Sequence, residues 1–379
     1  MHIQGRVRPV AVALVFALVA FAVPALARDG KAAKKIDKAQ QAEFAAAVRT
    51  VDGVMAGQPA PADFAFTWMN HSMKSLDGKT YVPFLLLFDK DQKVPSPLAY
   101  YIRVVNKATI GEQQKKMADY KAALEKAEMS AKLDPENVEL ADAAEKLRAQ
   151  APRMEYAFED FRTFNFTPPP GAAFRLPGAL SVPAGDYDVY VLLEQPASSL
   201  KDKKAKPPAG LLKVPLTVPD YWNDQLATSS IILTTQTEQL KTPPTQDDIN
   251  KNPYIFGMTR VTVPTAAKFP KKDELTIIFY IYNEGVDKTT GKPDLTVDYN
   301  FYRKADGAEK FFNRTNPQVL NATTLNPQFD VKAGHQLLGG LAIPLASFPD
   351  GDYRLEMKLT DKTTGKTKIE NSLFTVTAQ

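Results

Sequence analysis

The chain has 379 residues, of which 44% are hydrophobic and 24% charged, and its formal net charge is +4. It contains no cysteine, which excludes disulfides, thiolate metal sites, a cysteine nucleophile and a lipoprotein anchor. The near balance of charge argues against a dedicated nucleic-acid surface.

Arg6 and Arg8 precede an apolar run from Val10 to Val23, and Ala25-Leu26-Ala27 closes it. A basic start, a short apolar stretch and small residues at the cut make a secretory signal peptide over 1–27. An uncleaved membrane anchor is the rival reading, but the run is shorter than the roughly 20 residues a spanning helix needs. Cleavage near Ala27 leaves 45 basic against 43 acidic residues. The expected product is periplasmic or secreted, with no membrane span. Lys31, Lys34, Lys35 and Lys38, and later Lys201, Lys203, Lys204 and Lys206, read as solvated clusters.

Residues 31–56 read as an amphipathic helix with Ile36, Phe44, Val48, Val51 and Met55 on one face and Gly57 as its C-cap. Its expected place is against the domain that follows. The period then drops to two. Strands are expected at 63–68, 81–88 and 98–105, with Asp77-Gly78 as the first turn. From Ile110 to about Gln150 the pattern is helical again: Met117, Tyr120, Leu124, Ala127 and Ala131 recur at three- and four-residue spacing. Asp134 is read as the N-cap of a second helix, with Pro135 at its first position. Strand signals return at 156–158, 161–166 and 180–182. Pro215 marks 212–218 as an edge strand. Further strands are expected at 226–233, 256–263, 275–282, 295–301, 336–343, 353–359 and 372–376.

One stretch occurs twice. Pro183-Ala184-Gly185-Asp186-Tyr187 runs into a strand, and so does Pro349-Asp350-Gly351-Asp352-Tyr353. Asp287-Lys288-Thr289-Thr290-Gly291-Lys292 likewise returns as Asp361-Lys362-Thr363-Thr364-Gly365-Lys366, and both copies read as hairpin turns. Residues 81–88 correspond to 275–282 in this repeat, and 98–105 to 295–302. The fold expected is therefore mainly β: two tandem immunoglobulin- or fibronectin-like antiparallel sandwiches. The boundaries are a helix at 28–57, a first sandwich at 58–220 with a helical insert at 107–152, and a second sandwich at 221–379. In such sandwiches a tyrosine packs at a corner and bonds back to the upstream backbone. Tyr187 and Tyr353 stand where such a residue would.

Ile110-Gly111, Asp119-Tyr120, Ala123, Leu133-Asp134-Pro135 and Asn137 fall at tetratricopeptide spacing, so the insert resembles one such repeat plus a further helix. One repeat cannot bury its own face. The insert is expected to lean on a sandwich face, with an external partner or self-association as the alternatives. Phe256-Gly257, Val263-Pro264, Phe269, Asp273-Glu274-Leu275, Phe279 to Asn283 and Gly291 to Val297 carry a second resemblance. So do Gly351 to Leu355 and Asp361 to Gly365. Residues 225–378 are similar to the β-sandwich module near the C-terminus of bacterial secreted proteins known for a GWxTD motif. That motif itself does not occur in the chain. The resemblance implies framework and no catalytic residue.

A search for chemistry finds no catalytic set, no cofactor site and no metal ligand set. His71 and His335 are not at metal spacing. Asp350-Gly351-Asp352 lacks the ligand ladder of a calcium loop. Gly365-Lys366-Thr367 ends like a phosphate loop, but Thr360 stands where a glycine is required. Asp89 with Asp91 and Glu159 with Asp160 read as solvated charges rather than an acid and a base. Trp68, Trp222, Tyr100, Tyr101, Phe311 and Phe312 read as core, with a sugar or peptide platform as the alternative. The function expected is that of an exported, non-catalytic interaction or scaffold protein. Its expected partner is another envelope or secreted protein. A carbohydrate-binding protein contacting polysaccharide is the second reading, and a hydrolase with an unrecognised site the third.

Overall fold

A computed structural model describes residues 38–378, apart from 76, 168–170, 203 and 306. The expected signal peptide, Ile36 and the lysines at 31–35 and 203 lie outside the described residues. The rest falls into two compact units that divide between Asp224 and Gln225.

The N-terminal unit opens with helix α1 (Lys38–Met55). Gly57 follows it at φ +96°, a conformation that suits glycine at a helix end. Then come β1 (Thr67–Asn70), β2 (Met73–Lys74), β3 (Thr80–Phe88) and β4 (Leu98–Asn106). Helices α2 (Ile110–Leu133) and α3 (Val138–Ala149) interrupt the strands. The unit closes with β5 (Phe158–Phe164), β6 (Phe174–Val182), β7 (Gly185–Glu194) and β8 (Ala209–Val218). One sheet runs β1-β3-β2 with β6 also on β3, and the other runs β5-β4-β7-β8. Every pairing is antiparallel. Val82, Phe84, Leu86 and Phe88 from β3 meet Leu98, Ile102, Val104, Val189 and Val191 from the facing sheet in a shared core. Pro215 lies on β8, the last strand of its sheet.

The C-terminal unit comprises β9 (Ala227–Thr228), β10 (Ile232–Thr234), β11 (Thr237–Gln239), α4 (Gln246–Lys251), β12 (Ile255–Phe256) and β13 (Thr259–Val261). It continues with β14 (Lys268–Pro270), β15 (Glu274–Tyr282), β16 (Leu295–Ala305), β17 (Ala308–Arg314) and β18 (Gln318–Leu320). It ends with β19 (Leu337–Pro344), β20 (Gly351–Asp361) and β21 (Thr367–Thr377). Its main sheets are β10-β15-β19 with β9, and β14-β21-β20-β16-β17 with β18. Leu275, Ile277, Phe279 and Ile281 pack against Val297, Tyr299, Leu355 and Met357 between them. The chain is thus mainly β, built as two sandwiches whose strands pair antiparallel except for β14, which runs parallel to β21.

The two units repeat one strand plan. The pair β3–β6 corresponds to β15–β19, and the run β4-β7-β8 to β16-β20-β21. Tyr187 faces Asn106 across β7–β4, and Tyr353 faces Arg303 across β20–β16. Phe84 faces Gly178, and Phe279 faces Gly339. That last pairing moves the sequence alignment by one residue, because it sets Thr80 rather than Tyr81 against Leu275. A one-residue slip would turn every core side chain outward.

The outer faces differ between the units. On the outer face of the N-terminal sheet, Tyr101, Arg103, Val105, Tyr190 and Leu192 are all buried. Helix α1 covers them with Ala47 and Val51. At the β20 positions matching Asp188, Tyr190 and Leu192 stand Arg354, Glu356 and Lys358, a face suited to water.

Two expectations change. The insert does not spread over a sandwich face: Ile110 at its start touches the outer-face cluster, but none of the 24 residues of α2 is buried, and Ala144 alone is buried in α3. Helix α1 covers an outer sandwich face, that of β4 and β7. The second helix is capped by Asn137, whose side chain accepts from the Glu139 and Leu140 N–H groups, and not by Asp134. Two elements were not expected at all: the strand at 308–314 and the capped turn α4.

Candidate functional site

The repeated turn is built alike in both units. Gly185 and Gly351 sit at φ +149° and +143°, a region open to glycine and strained for other residues. The Tyr187 hydroxyl donates to the Pro183 carbonyl at 2.8 Å, and that of Tyr353 to the Pro349 carbonyl at 2.6 Å. Burial raises the pKa of both phenols, so they stay protonated donors. Beside them the Thr217 hydroxyl donates to Asp186 at 2.6 Å and that of Thr375 to Asp352 at 2.7 Å. Each turn thus carries the same two bonds, tyrosine to proline and threonine to aspartate.

The densest polar chemistry lies under α1. Arg103 on β4 is 1% exposed. Its guanidinium donates to Asp52 of α1 at 2.5 Å, to the Tyr101 hydroxyl at 2.8 Å and to Glu159 of β5 at 3.2 Å. The Tyr156 ring lies 4.0 Å from its central carbon, close enough for a cation–π contact. The Tyr101 hydroxyl donates to the same Glu159 carboxylate. Burial opposes the arginine charge, but Asp52 and the two tyrosines outweigh it and the pKa rises. Burial and the bond to Glu159 also raise the pKa of Tyr101. This cluster ties a helix to a sheet with every strong group matched. Nothing in the local sequence announces it, because its members span residues 52 to 159.

The opposite end of α1 meets two acids. Glu43 accepts from the backbone N–H and hydroxyl of Ser198. Burial, and then the charge of Glu43, push the Glu194 carboxyl up to about 7.

The other sequence candidates disperse. Burial lowers the His71 pKa to about 4, while His335 Nδ1 accepts from the Asp330 N–H at 3.0 Å. Asp160 pairs with Arg162 at 2.6 Å, and Asp89 and Asp91 are exposed. Gly365-Lys366-Thr367 closes the β20–β21 hairpin, where Asp361 gathers the N–H groups of Thr363, Thr364 and Gly285. Tyr100 and Tyr101 are buried, Trp68 stacks on Phe84 at 4.1 Å, and Phe312 packs on Phe348 and Tyr353. Trp222 and Phe311 alone of the six aromatics are exposed, one in each unit. Among the described residues no group of three or more His, Asp or Glu side chains is placed to hold a metal ion. No described helix is long and apolar enough to cross a membrane.

No family model matches the chain, and no curated protein sequence matches it. Among solved structures, Escherichia coli alpha-2-macroglobulin activated by porcine elastase is similar at 12% identity, covering 84% of this chain and 24% of its own, with a TM-score of 0.20. Salmonella alpha-2-macroglobulin reacted with methylamine is similar at 10% identity, covering 85% and 17%, with a TM-score of 0.20. The C-terminal domain of the Streptococcus pyogenes antigen I/II-family protein AspA matches at 10% identity, covering 82% and 99%, with a TM-score of 0.17. The chain spans about a quarter or less of the macroglobulins it matches. Scores this low carry no argument about function.

Proposed function

We propose that the chain is an exported, non-catalytic interaction protein whose two sandwiches form a frame and whose α2–α3 hairpin is the docking arm for another envelope or secreted protein. The observation that carries this reading is the exposure of the hairpin. Helix α2 buries no residue along its length, and Leu133 and Val138 at the tip are 79% and 69% exposed. Helices in folded proteins take most of their stability from packing an apolar face, and α2–α3 finds that packing mainly in itself. The signal-like pattern at 1–27 supports export. The likeness of 225–378 to the GWxTD-protein module supports a framework role for that unit.

The test is affinity capture from an envelope extract, followed by titration of the captured partner in purified form. Full-length protein is compared with a chain lacking 108–152, its folding checked by near-ultraviolet circular dichroism. A partner that binds the first and not the second supports the proposal. Identical partners and affinities overturn it. A glycan array serves the carbohydrate reading, with Trp222→Ala and Phe311→Ala as controls.

A further inference from the structure

The two sandwiches differ at matching sheet edges. In the N-terminal unit β8 is the last strand of its sheet, and the chain itself guards the open edge. Residues 61–63 run antiparallel to 209–211. The Leu211 N–H donates to the Pro61 carbonyl and the Asp63 N–H to the Ala209 carbonyl, both at 2.9 Å, with a bridge between Ala62 and Gly210. Further along, Pro215 withdraws one donor from the same edge. Tyr187 pairs with Leu216 and Tyr353 with Phe374, so Ala209, Leu211 and Pro215 match Thr367, Ile369 and Leu373 of β21. Neither guard is present there. β14 pairs with β21 at 375–377, and among the described residues no strand pairs with the same edge from Thr367 to Leu373. The Thr375 N–H donates outward to the Ala267 carbonyl at 2.7 Å. By alternation the N–H and C=O groups of Thr367, Ile369, Asn371 and Leu373 point the same way. Ile369 is 53% exposed and Leu373 72%.

We propose that this edge of β21 pairs antiparallel with the same edge of a second copy of the chain, about a twofold axis at Ile369, joining two sheets into one. An unpaired edge is a template for another strand, and a twofold contact must match itself. The pattern around Ile369 does so. Thr367 falls opposite Asn371 of the second copy, Ile369 opposite Ile369, and Asn371 opposite Thr367. Each such pair exchanges two backbone hydrogen bonds. On the other face of the strand, Lys368 falls opposite Glu370 of the second copy and Glu370 opposite Lys368. The two charges that meet within one strand at 3.2 Å thus meet again across the axis, where opposite charges favour the pairing. A foreign strand would answer the open edge and leave this charge symmetry without a cause. An axis at Asn371 is blocked, because it sets Thr367 of the second copy against Thr375, where β14 already holds the edge. The α2–α3 hairpin plays no part in this contact.

Sedimentation velocity of the purified protein over a concentration series tests the association. A monomer–dimer equilibrium is expected, weak because the contact is short. Lys368→Glu sets like charges opposite one another and is expected to weaken the dimer about tenfold or more. Combining Lys368→Glu with Glu370→Lys restores both pairs and is expected to restore the dimer. The chain has no cysteine, so single-cysteine variants read the register. The Cα atoms of a hydrogen-bonded antiparallel pair lie about 5.5 Å apart, within reach of a disulfide. Ile369→Cys should therefore cross-link across the axis faster than Asn371→Cys or the more exposed Leu373→Cys. A protein that stays monomeric up to its highest soluble concentration overturns the proposal. So does a dimer that Lys368→Glu leaves unchanged or that the charge exchange does not rescue, and so does cross-linking faster at Asn371→Cys or Leu373→Cys than at Ile369→Cys.

Discussion

The ring of Phe84 lies directly over Gly178 across β3–β6, so that a Cβ built on the glycine would sit 2.3 Å from the ring. Phe279 lies over Gly339 in the second sandwich at the same 2.3 Å. Each ring fills the space that a cross-strand side chain would occupy, and both rings are at most 1% exposed. Gly178→Ala and Gly339→Ala should therefore overpack their cores and destabilise by about 1–3 kcal/mol each. Urea titration measures this. Adding Phe84→Leu to Gly178→Ala should recover part of the loss, and no recovery would show that the strain arises elsewhere.

Tyr187 and Tyr353 each hold an upstream proline carbonyl four residues away. Replacing either with Phe keeps the ring and removes one hydrogen bond. The expected cost is about 0.5–1.5 kcal/mol in the unit concerned. Since the two turns share one geometry, the two losses should agree closely. A negligible effect in thermal unfolding would mean that water satisfies the carbonyl equally well.

These turns were readable in the sequence because their cause is local: Pro, Gly and Tyr at fixed offsets dictate the backbone. What went unread depends on distant partners. Strand β17 reads Ala-Glu-Lys-Phe-Phe-Asn-Arg, an edge strand whose alternation is broken by an irregularity against β16 between Phe301 and Tyr302. Strands β3 and β15 are apolar on nearly every residue, so their alignment was free to slip by one until Phe84 and Gly178 fixed it. The seat of α1 needs Asp52, Tyr101, Arg103 and Glu159 together. No pattern within any one element shows that Arg103 faces a helix rather than water, although a strand buried on both faces was a signal that something covers it.

The Arg103 cluster gives a test of what the buried charges do. Arg103→Met removes the cation and leaves Asp52 and Glu159, whose side chains are 54% and 33% exposed and can turn to water. The double variant Asp52→Asn, Glu159→Gln leaves a buried guanidinium with no anion. Stranding a buried charge costs about 3–5 kcal/mol, whereas an apolar replacement of similar volume is often tolerated. The double variant should thus be the less stable of the two by urea titration. The reverse order would mean that the cluster stabilises mainly through the packing of the arginine stem.

Two half-buried groups in the N-terminal unit pull its pH dependence in opposite directions. The His71 pKa is lowered from 6.5 to about 4 by burial. The unfolded chain therefore binds the extra proton there, and stability falls as pH drops from 6.5 to 4. The Glu194 pKa is raised from 4.5 to about 7 by burial and by Glu43. The folded chain binds the extra proton there, and stability falls as pH climbs from 4.5 to 7. Where the windows overlap, from 4.5 to 6.5, the two slopes offset each other and the melting temperature of this unit should be nearly flat. Each substitution should unmask the other group. Glu194→Gln should give a melting temperature that rises with pH across 4 to 6.5, and His71→Gln one that falls across 4.5 to 7. Scanning calorimetry of the two variants reads both slopes, and slopes of the same sign would show that one of these two burial effects does not govern the titration.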